Sequence, residues 1–211
     1  MSLFRDIADH QQRTNAAIDS GVRVEGDAYY TPDAVALACV AALPTWFTGR
    51  LVIEPSVGGG AFARAVRVRC QPERIVGCDV DARAPGRRDC DEFRLGDWLA
   101  VDPDPVPIPS LIVGNPPFAL AEQHLRHAFR FRPQHVAMLL RLAFLEGQVR
   151  AKFWEEHPPS TVHILRKRPS FTGGGTRKVA WALMPRLYGH RASGLVTGDG
   201  SALVSSARAA G

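Results

Sequence analysis

No stretch of the sequence stays apolar for long. A helix that crosses a bilayer needs about 20 mostly apolar residues, and the longest candidate, V-A-M-L-L-R-L-A-F-L at 136–145, is split by Arg141. No membrane span is expected. The first ten residues, M-S-L-F-R-D-I-A-D-H, carry acids where a secretory leader needs a basic and then an apolar start. Cysteine is sparse. Cys39, Cys70, Cys78 and Cys90 form no C-x-x-C pair and have no histidine pattern beside them. This disfavours a zinc or disulfide framework and favours a reducing, cytoplasmic setting. The seven histidines show no metal-ligand clustering either. Acids are missing from one long stretch: none lies between Glu156 and Asp199, against seven lysines and arginines. Residues 1–117 hold 12 Lys/Arg and 16 Asp/Glu (−4), residues 118–198 hold 13 and 4 (+9), and residues 199–211 cancel. A basic second half suits a polyanionic partner as well as it suits an ordinary solvated surface.

What is present is ordinary for a globular chain of 211 residues: 45% hydrophobic and 22% charged, enough for one domain with small appendages. Residues 5–18 read as a polar helix with little apolar face. Thr31-Pro32-Asp33 starts a clear helix, with threonine as the cap and proline in the first turn. Strands are read at 50–54 (R-L-V-I-E), 74–79 (R-I-V-G-C-D), 93–95, 111–114 (L-I-V-G) and 134–140 (Q-H-V-A-M-L-L). Helices are read in A-F-A-R-A-V-R-V-R, at 120–130 and at 146–156. A proline-spaced connector, D-P-D-P-V-P-I-P-S, is stiff and extended. Strands alternating with helices imply a largely parallel α/β sheet covered on both faces. T-V-H-I-L-R-K and K-V-A-W-A-L-M have no helix between them and read as an antiparallel pair, with Trp181 in the core. The expected organisation is an N-terminal extension at 1–27, a domain at 28–188 and a flexible tail at 189–211, whose alanine, serine and glycine content lacks core periodicity.

The first strand ends E-P-S-V-G-G-G-A-F-A. Gly58, Gly60 and Ala63 match G-x-G-x-x-G/A, and Asp79, 21 residues after Gly58, stands where a ribose-binding acid would. That match alone does not separate a dinucleotide from another adenosyl ligand, or from a structural glycine turn. The Glu54-Pro55 pair ahead of the glycines lengthens the turn, and a carboxylate there disfavours a pyrophosphate and favours a cation. Asp97, in L-G-D-W, follows the third strand and suits an adenine amino group, with Trp98 or Leu99 along the ring. Three acids at three successive strand ends suit S-adenosylmethionine, which carries a sulfonium and an ammonium.

In their order and spacing, E-P-S-V-G-G-G-A-F, D-V-D, G-D-W and N-P-P-F resemble the class I S-adenosylmethionine-dependent methyltransferases. More narrowly they are similar to the amino-group enzymes, notably DNA adenine-N6 methyltransferases, one subgroup of which has a Y-x-T-P-like motif like Tyr29-Tyr30-Thr31-Pro32 here. The resemblance spans roughly 28–185. It implies a Rossmann-like sheet of seven mostly parallel strands, helices on both faces and a terminal antiparallel strand pair. It also implies that Tyr30, Thr31 and Pro32 close over the methionine end of S-adenosylmethionine. Glu54, Pro55, Gly58 and Gly60 would form the floor, Asp79 would hold the ribose in preference to Asp81, and Asp97 and Trp98 would meet the adenine.

The elbow Asn115-Pro116-Pro117-Phe118 carries the chemistry. An adenine amino group is a poor nucleophile, because its lone pair is conjugated into the ring. Two acceptors aimed at its two hydrogens favour the tetrahedral, more negative nitrogen of the transition state. These would be the Asn115 side-chain carbonyl and the Pro116 main-chain carbonyl, held rigid by the prolines. Phe118 would stack on a flipped base, and Phe171, in R-P-S-F-T-G-G-G-T, would be its second wall. Arg166, Lys167 and Arg168 on one side of that loop, and Arg177 and Lys178 on the other, suit a nucleic-acid backbone; a plain hairpin loop with an inward phenylalanine is the alternative. DNA is favoured over RNA as the substrate. Glutamine-amide methylation of protein, a non-catalytic nucleic-acid-binding subunit and an NAD-dependent dehydrogenase are the other readings. No segment resembles a separate target-recognition domain, so low or very short sequence specificity is expected, or a partner that supplies it; a homodimer is the other partner reading.

Overall fold

A computed structural model describes residues 30–44, 50–104, 106–146, 148–165, 169–171, 175–176, 179–185 and 195–198. Strands β1 (Leu51–Glu54), β2 (Arg74–Asp79), β3 (Glu92–Leu95), β4 (Leu111–Gly114) and β5 (His135–Arg141) are contiguous and parallel, in the order 3-2-1-4-5. β9 (Val179–Pro185) runs antiparallel to β5 on one side and to β6 (Thr161–Leu165) on the other. The expected terminal antiparallel pair is therefore β6 with β9. Beyond β6 lies β10 (Leu195–Gly198), parallel to it. The main sheet has eight strands, not seven. The extra one falls in the segment expected to be a frayed tail. Leu195-Val196-Thr197 is a short β-favouring run, and its pairing partner is the open edge of β6, which local periodicity does not reveal. Separately, β7 (Ser170–Phe171) and β8 (Gly175–Thr176) make a small antiparallel pair.

The central strands are nearly all apolar because both faces are covered. With a period of two, Val52, Leu111, Val113, Ala137 and Leu139 face one core, which holds α1 (Asp33–Ala41) and α2 (Ala61–Cys70). Ile53, Ile112, Val136, Met138 and Leu140 face the other, against α3 (Ala121–Arg130) and α4 (Ala151–Glu156). The helix expected at 146–156 is shorter: a 3₁₀ turn at Gln148–Arg150 leads into α4. Short 3₁₀ turns and the proline connector, rather than long helices, join β2 to β3 and β3 to β4. All four cysteines are free. Among the described residues, no helix is long and apolar enough to cross a membrane.

Candidate active site

Ligands of open parallel sheets sit beyond the carboxyl ends of the strands, where strand order reverses. Here that point lies between β1 and β4. A Cβ added to Gly114 would lie 3.6 Å from Glu54 Cγ and 3.7 Å from Pro55 Cδ, so the two strand ends touch. Glu54 is 1% exposed, and its Oε2 has no hydrogen-bond partner among the described residues. Burial raises its pKa well above the ordinary carboxylate range, opposed by the Ala63 amide and the Arg64 charge. Burying a carboxyl oxygen that has no partner among the described residues costs stability.

The glycine loop is laced to its surroundings. Gly58 N donates to Asp79 Oδ2 at 2.8 Å and Asp81 N to Asp79 Oδ1 at 3.0 Å, so Asp79 braces the turn that it borders. Asp81 instead accepts from Arg83 N (2.8 Å) and Nε (3.1 Å), a pairing that lowers its pKa. Gly58 and Gly60 have φ of +48° and +78°, in the left-handed region open to glycine. The Tyr30 ring lies against the loop, 3.0 Å from where a Gly58 Cβ would be. Burial, then the charges of Asp79 and Asp81, raise the pKa of its phenol.

Two anchors of this loop were not foreseen. Gly86 N donates to Gly58 O at 2.9 Å, and a Cβ on Gly86 would fall 2.3 Å from Gly60 N. Arg64, on α2, pairs with Asp33 and with Asp89 at 2.5 Å each and donates to Gly59 O at 2.8 Å. It ties the start of α1, the glycine loop and the turn after β2 into one unit. In the sequence, Arg64 is one of three arginines in A-F-A-R-A-V-R-V-R, and nothing local separates it from the other two.

Thr31 differs from its expected role. The helix has Pro32 as its N-cap, with no side-chain cap bond, and the Pro32 carbonyl accepts from Val35 N and Ala36 N. The threonine hydroxyl is left for another partner: Asn115 Nδ2 donates to Thr31 Oγ1 at 3.1 Å, across 84 residues of chain. Asn115 Oδ1 is buried and has no hydrogen-bond partner among the described residues. Tyr30, Thr31, Glu54, Gly58, Phe62 and Asn115 share one cavity of about 30 Å³. Two orphaned buried oxygens, on two residues that line one small cavity, fit a ligand that brings a cation and N–H donors, as the ammonium end of S-adenosylmethionine and an amino group would.

At the elbow, Pro116 is buried, and Leu120 N donates to Pro117 O at 2.9 Å, closing a turn. Phe118 is half-buried against the first core cluster, and the Arg141 guanidinium lies 5.3 Å from its ring centroid. Asp97 is exposed and accepts from Leu99 N at 2.9 Å, beside a groove of about 490 Å³ floored by Cys78. Burial and the Asp79 and Asp97 charges push the Cys78 thiol up to about 11. Trp98 does not share this surface. It is 3% exposed and stacks on Phe131, with centroids 4.7 Å apart, within the second core. Of the two candidates to flank a ligand ring, only Leu99 stays at the partly exposed surface. Phe171 lies in β7. Arg166, Lys167, Arg168, Arg177 and Lys178 lie outside the described residues.

No family model matches the sequence, and no curated protein matches it. Solved structures do. A candidate RNA methyltransferase from Pyrococcus horikoshii superposes with a TM-score of 0.61 at 16% identity, over 85% of this chain and 99% of that one. The methyltransferase subunit of a type I restriction-modification system from Streptococcus thermophilus gives 0.65 at 16% identity, over 83% of this chain. A chain of another type I restriction-modification assembly gives 0.66 at 17% identity, over 91%. The chain has the methyltransferase fold. Identities this low carry the likeness of fold and no more. The chain spans 48% and 49% of the two restriction-modification chains, about half of each. Within the methyltransferase fold, the Asn115 elbow, the glycine loop and Glu54 all fall at the ligand end of the sheet.

Proposed function

We propose that this chain transfers a methyl group to the exocyclic N6 of adenine in DNA, with S-adenosylmethionine as the donor. The observation that carries the reading is the Asn115 carbonyl: buried, unpaired among the described residues, and held at a strand end by the bond from its own amide to Thr31. Oriented this way, one amide N–H is held by Thr31 and the carbonyl acceptor is without a partner among the described residues, which is what an amino-group substrate requires. When bound, S-adenosylmethionine supplies an electrophilic methyl on a sulfonium. The Glu54 carboxylate would meet its ammonium, Asp79 its ribose and Asp97 its adenine amino group. Tyr30, Thr31 and Pro32 would cover the methionine end. Because the cavity holds little more than one water-sized group, this cover has to draw back for entry. Asn115 Oδ1 and the Pro116 carbonyl accept the two N6 hydrogens, and Phe118 stacks on the base. Stabilisation is electrostatic and preorganised, and no general base is needed to begin transfer.

RNA is the second substrate for the same chemistry, favoured by the fold likeness to the archaeal candidate RNA enzyme. The two type I neighbours suggest a partner that supplies sequence choice, and the basic half of the chain suits a polyanionic substrate.

The test is transfer of radiolabelled methyl groups to DNA, RNA and protein, followed by nucleoside and amino-acid analysis. N6-methyladenine in DNA is the expected product. Asn115→Ala should lower transfer by about 100-fold or more, the scale seen when one preorganised transition-state hydrogen-bonding group is removed, while cofactor affinity changes little. Transfer that survives in this variant overturns the mechanism.

A further inference from the structure

Arg141 is the last residue of β5, the strand beside the one that carries the elbow. It is exposed, its guanidinium covers the Phe118 ring at 5.3 Å, and no carboxylate pairs with it among the described residues. Arg126 makes a superficially similar contact with Phe153, but it also pairs with Glu122 and Glu156. Arg141 therefore places a charge, without a carboxylate counterion among the described residues, on a ring assigned to the target base.

We propose that Arg141 binds the phosphate of the target nucleotide after the base has displaced it from Phe118. This rests on the nucleic-acid reading above and narrows it. A base stacked on an aromatic ring is held more strongly than an exposed cation over the same ring, so an entering base takes the face. The displaced guanidinium remains tethered at the strand end, beside the base. The anion that a nucleotide in a chain always brings to that place is its own phosphate, and the planar fork of arginine matches phosphate oxygens two at a time. A peptide amide brings no such anion, so the same residue separates a polynucleotide from a protein substrate. Arg141 also stands opposite Val179 at the start of β9.

The experiment is binding of a single-stranded, adenine-containing oligonucleotide by anisotropy across a salt series, with S-adenosylmethionine affinity measured alongside. Arg141→Gln should weaken binding about tenfold or more at low salt and reduce the slope of log K against log salt by about 0.7, one single-strand phosphate contact. Arg141→Lys should keep the slope with reduced affinity. Arg132→Gln, an exposed arginine just before β5 at the far end of the strand, removes the same charge and should leave the slope unchanged. Unchanged cofactor affinity in each variant shows that the fold is intact. An Arg141→Gln slope equal to wild type, or an equal drop in Arg132→Gln, overturns the proposal. A wild-type chain that binds no oligonucleotide overturns the nucleic-acid reading itself.

Discussion

Gly60→Ala is the most informative perturbation of the cofactor floor. The added methyl would sit 2.2 Å from Asp89 Oδ2 and 2.6 Å from Gly86 Cα, at a φ of +78°. A left-handed backbone costs a residue with a Cβ roughly 1–2 kcal/mol. The overlap adds a packing cost of about 1–3 kcal/mol, because one of the two contacts is backbone and cannot rotate away. The other is the carboxylate paired with Arg64, so relief by moving Asp89 breaks the unit that holds the loop. The sum, about 2–5 kcal/mol, corresponds to a melting point lowered by about 4–20 °C for a chain of this size. Gly59→Ala is the control. Its methyl would meet Tyr30 Cγ at 3.3 Å, with no backbone clash and no positive φ, and should cost under about 1 kcal/mol. Thermal unfolding by circular dichroism, with and without S-adenosylmethionine, reads both. A Gly60→Ala melting point within about 2 °C of wild type would refute the close approach of the Gly60 and Gly86 backbones.

Two pH-linked predictions follow from the buried groups. Glu54 holds its proton more tightly folded than unfolded, so folding becomes less favourable as pH rises from the ordinary carboxylate range to the folded value. Glu54→Gln should therefore raise the melting point of the ligand-free chain at neutral pH and abolish the stabilisation that S-adenosylmethionine gives; a lowered melting point would contradict this. His124 runs the other way. Burial lowers its pKa from 6.5 to about 4, so the unfolded chain binds the extra proton between those values. Stability present above pH 6.5 should be lost as pH falls toward 4, on the order of 3 kcal/mol, and the urea midpoint of His124→Leu should vary less across that window.

The sheet was legible because buried parallel strands are written as apolar runs, and each of the first five was read to within about a residue. The elbow was legible as a turn for a similar reason: two consecutive prolines cannot continue a central strand. Side-chain direction was not. Asp97 and Trp98 are neighbours in L-G-D-W, yet the 3₁₀ turn that begins there sends one to solvent and the other into the core, since successive residues of such a turn point about 120° apart. Thr31 looks like a cap from its neighbours, and only the distant Asn115 reveals its other use. Gly86 meets Gly60 from 26 positions away, and Arg64 pairs with Asp33 and Asp89 from 31 and 25, which no local pattern encodes. Arg141 stands in the sequence only as the charge that splits an apolar run, and nothing local marks it for a ligand. A charge at a strand end signals that the strand has reached the surface, and here that surface is the ligand end.

The antiparallel course of β9 has a consequence for how such a chain can change. β6 ends and β9 begins at the same end of the sheet, so the segment from 166 to 178 is fastened at both sides by strand pairing. Lengthening the link between two fastened ends costs loop-closure entropy of only about 0.6 kcal/mol for each doubling. Under the proposed function, substrate preference would be rewritten there as an exchangeable cassette, by grafting or by drift, while the residues proposed to hold the donor, on the other side of β4, stay untouched.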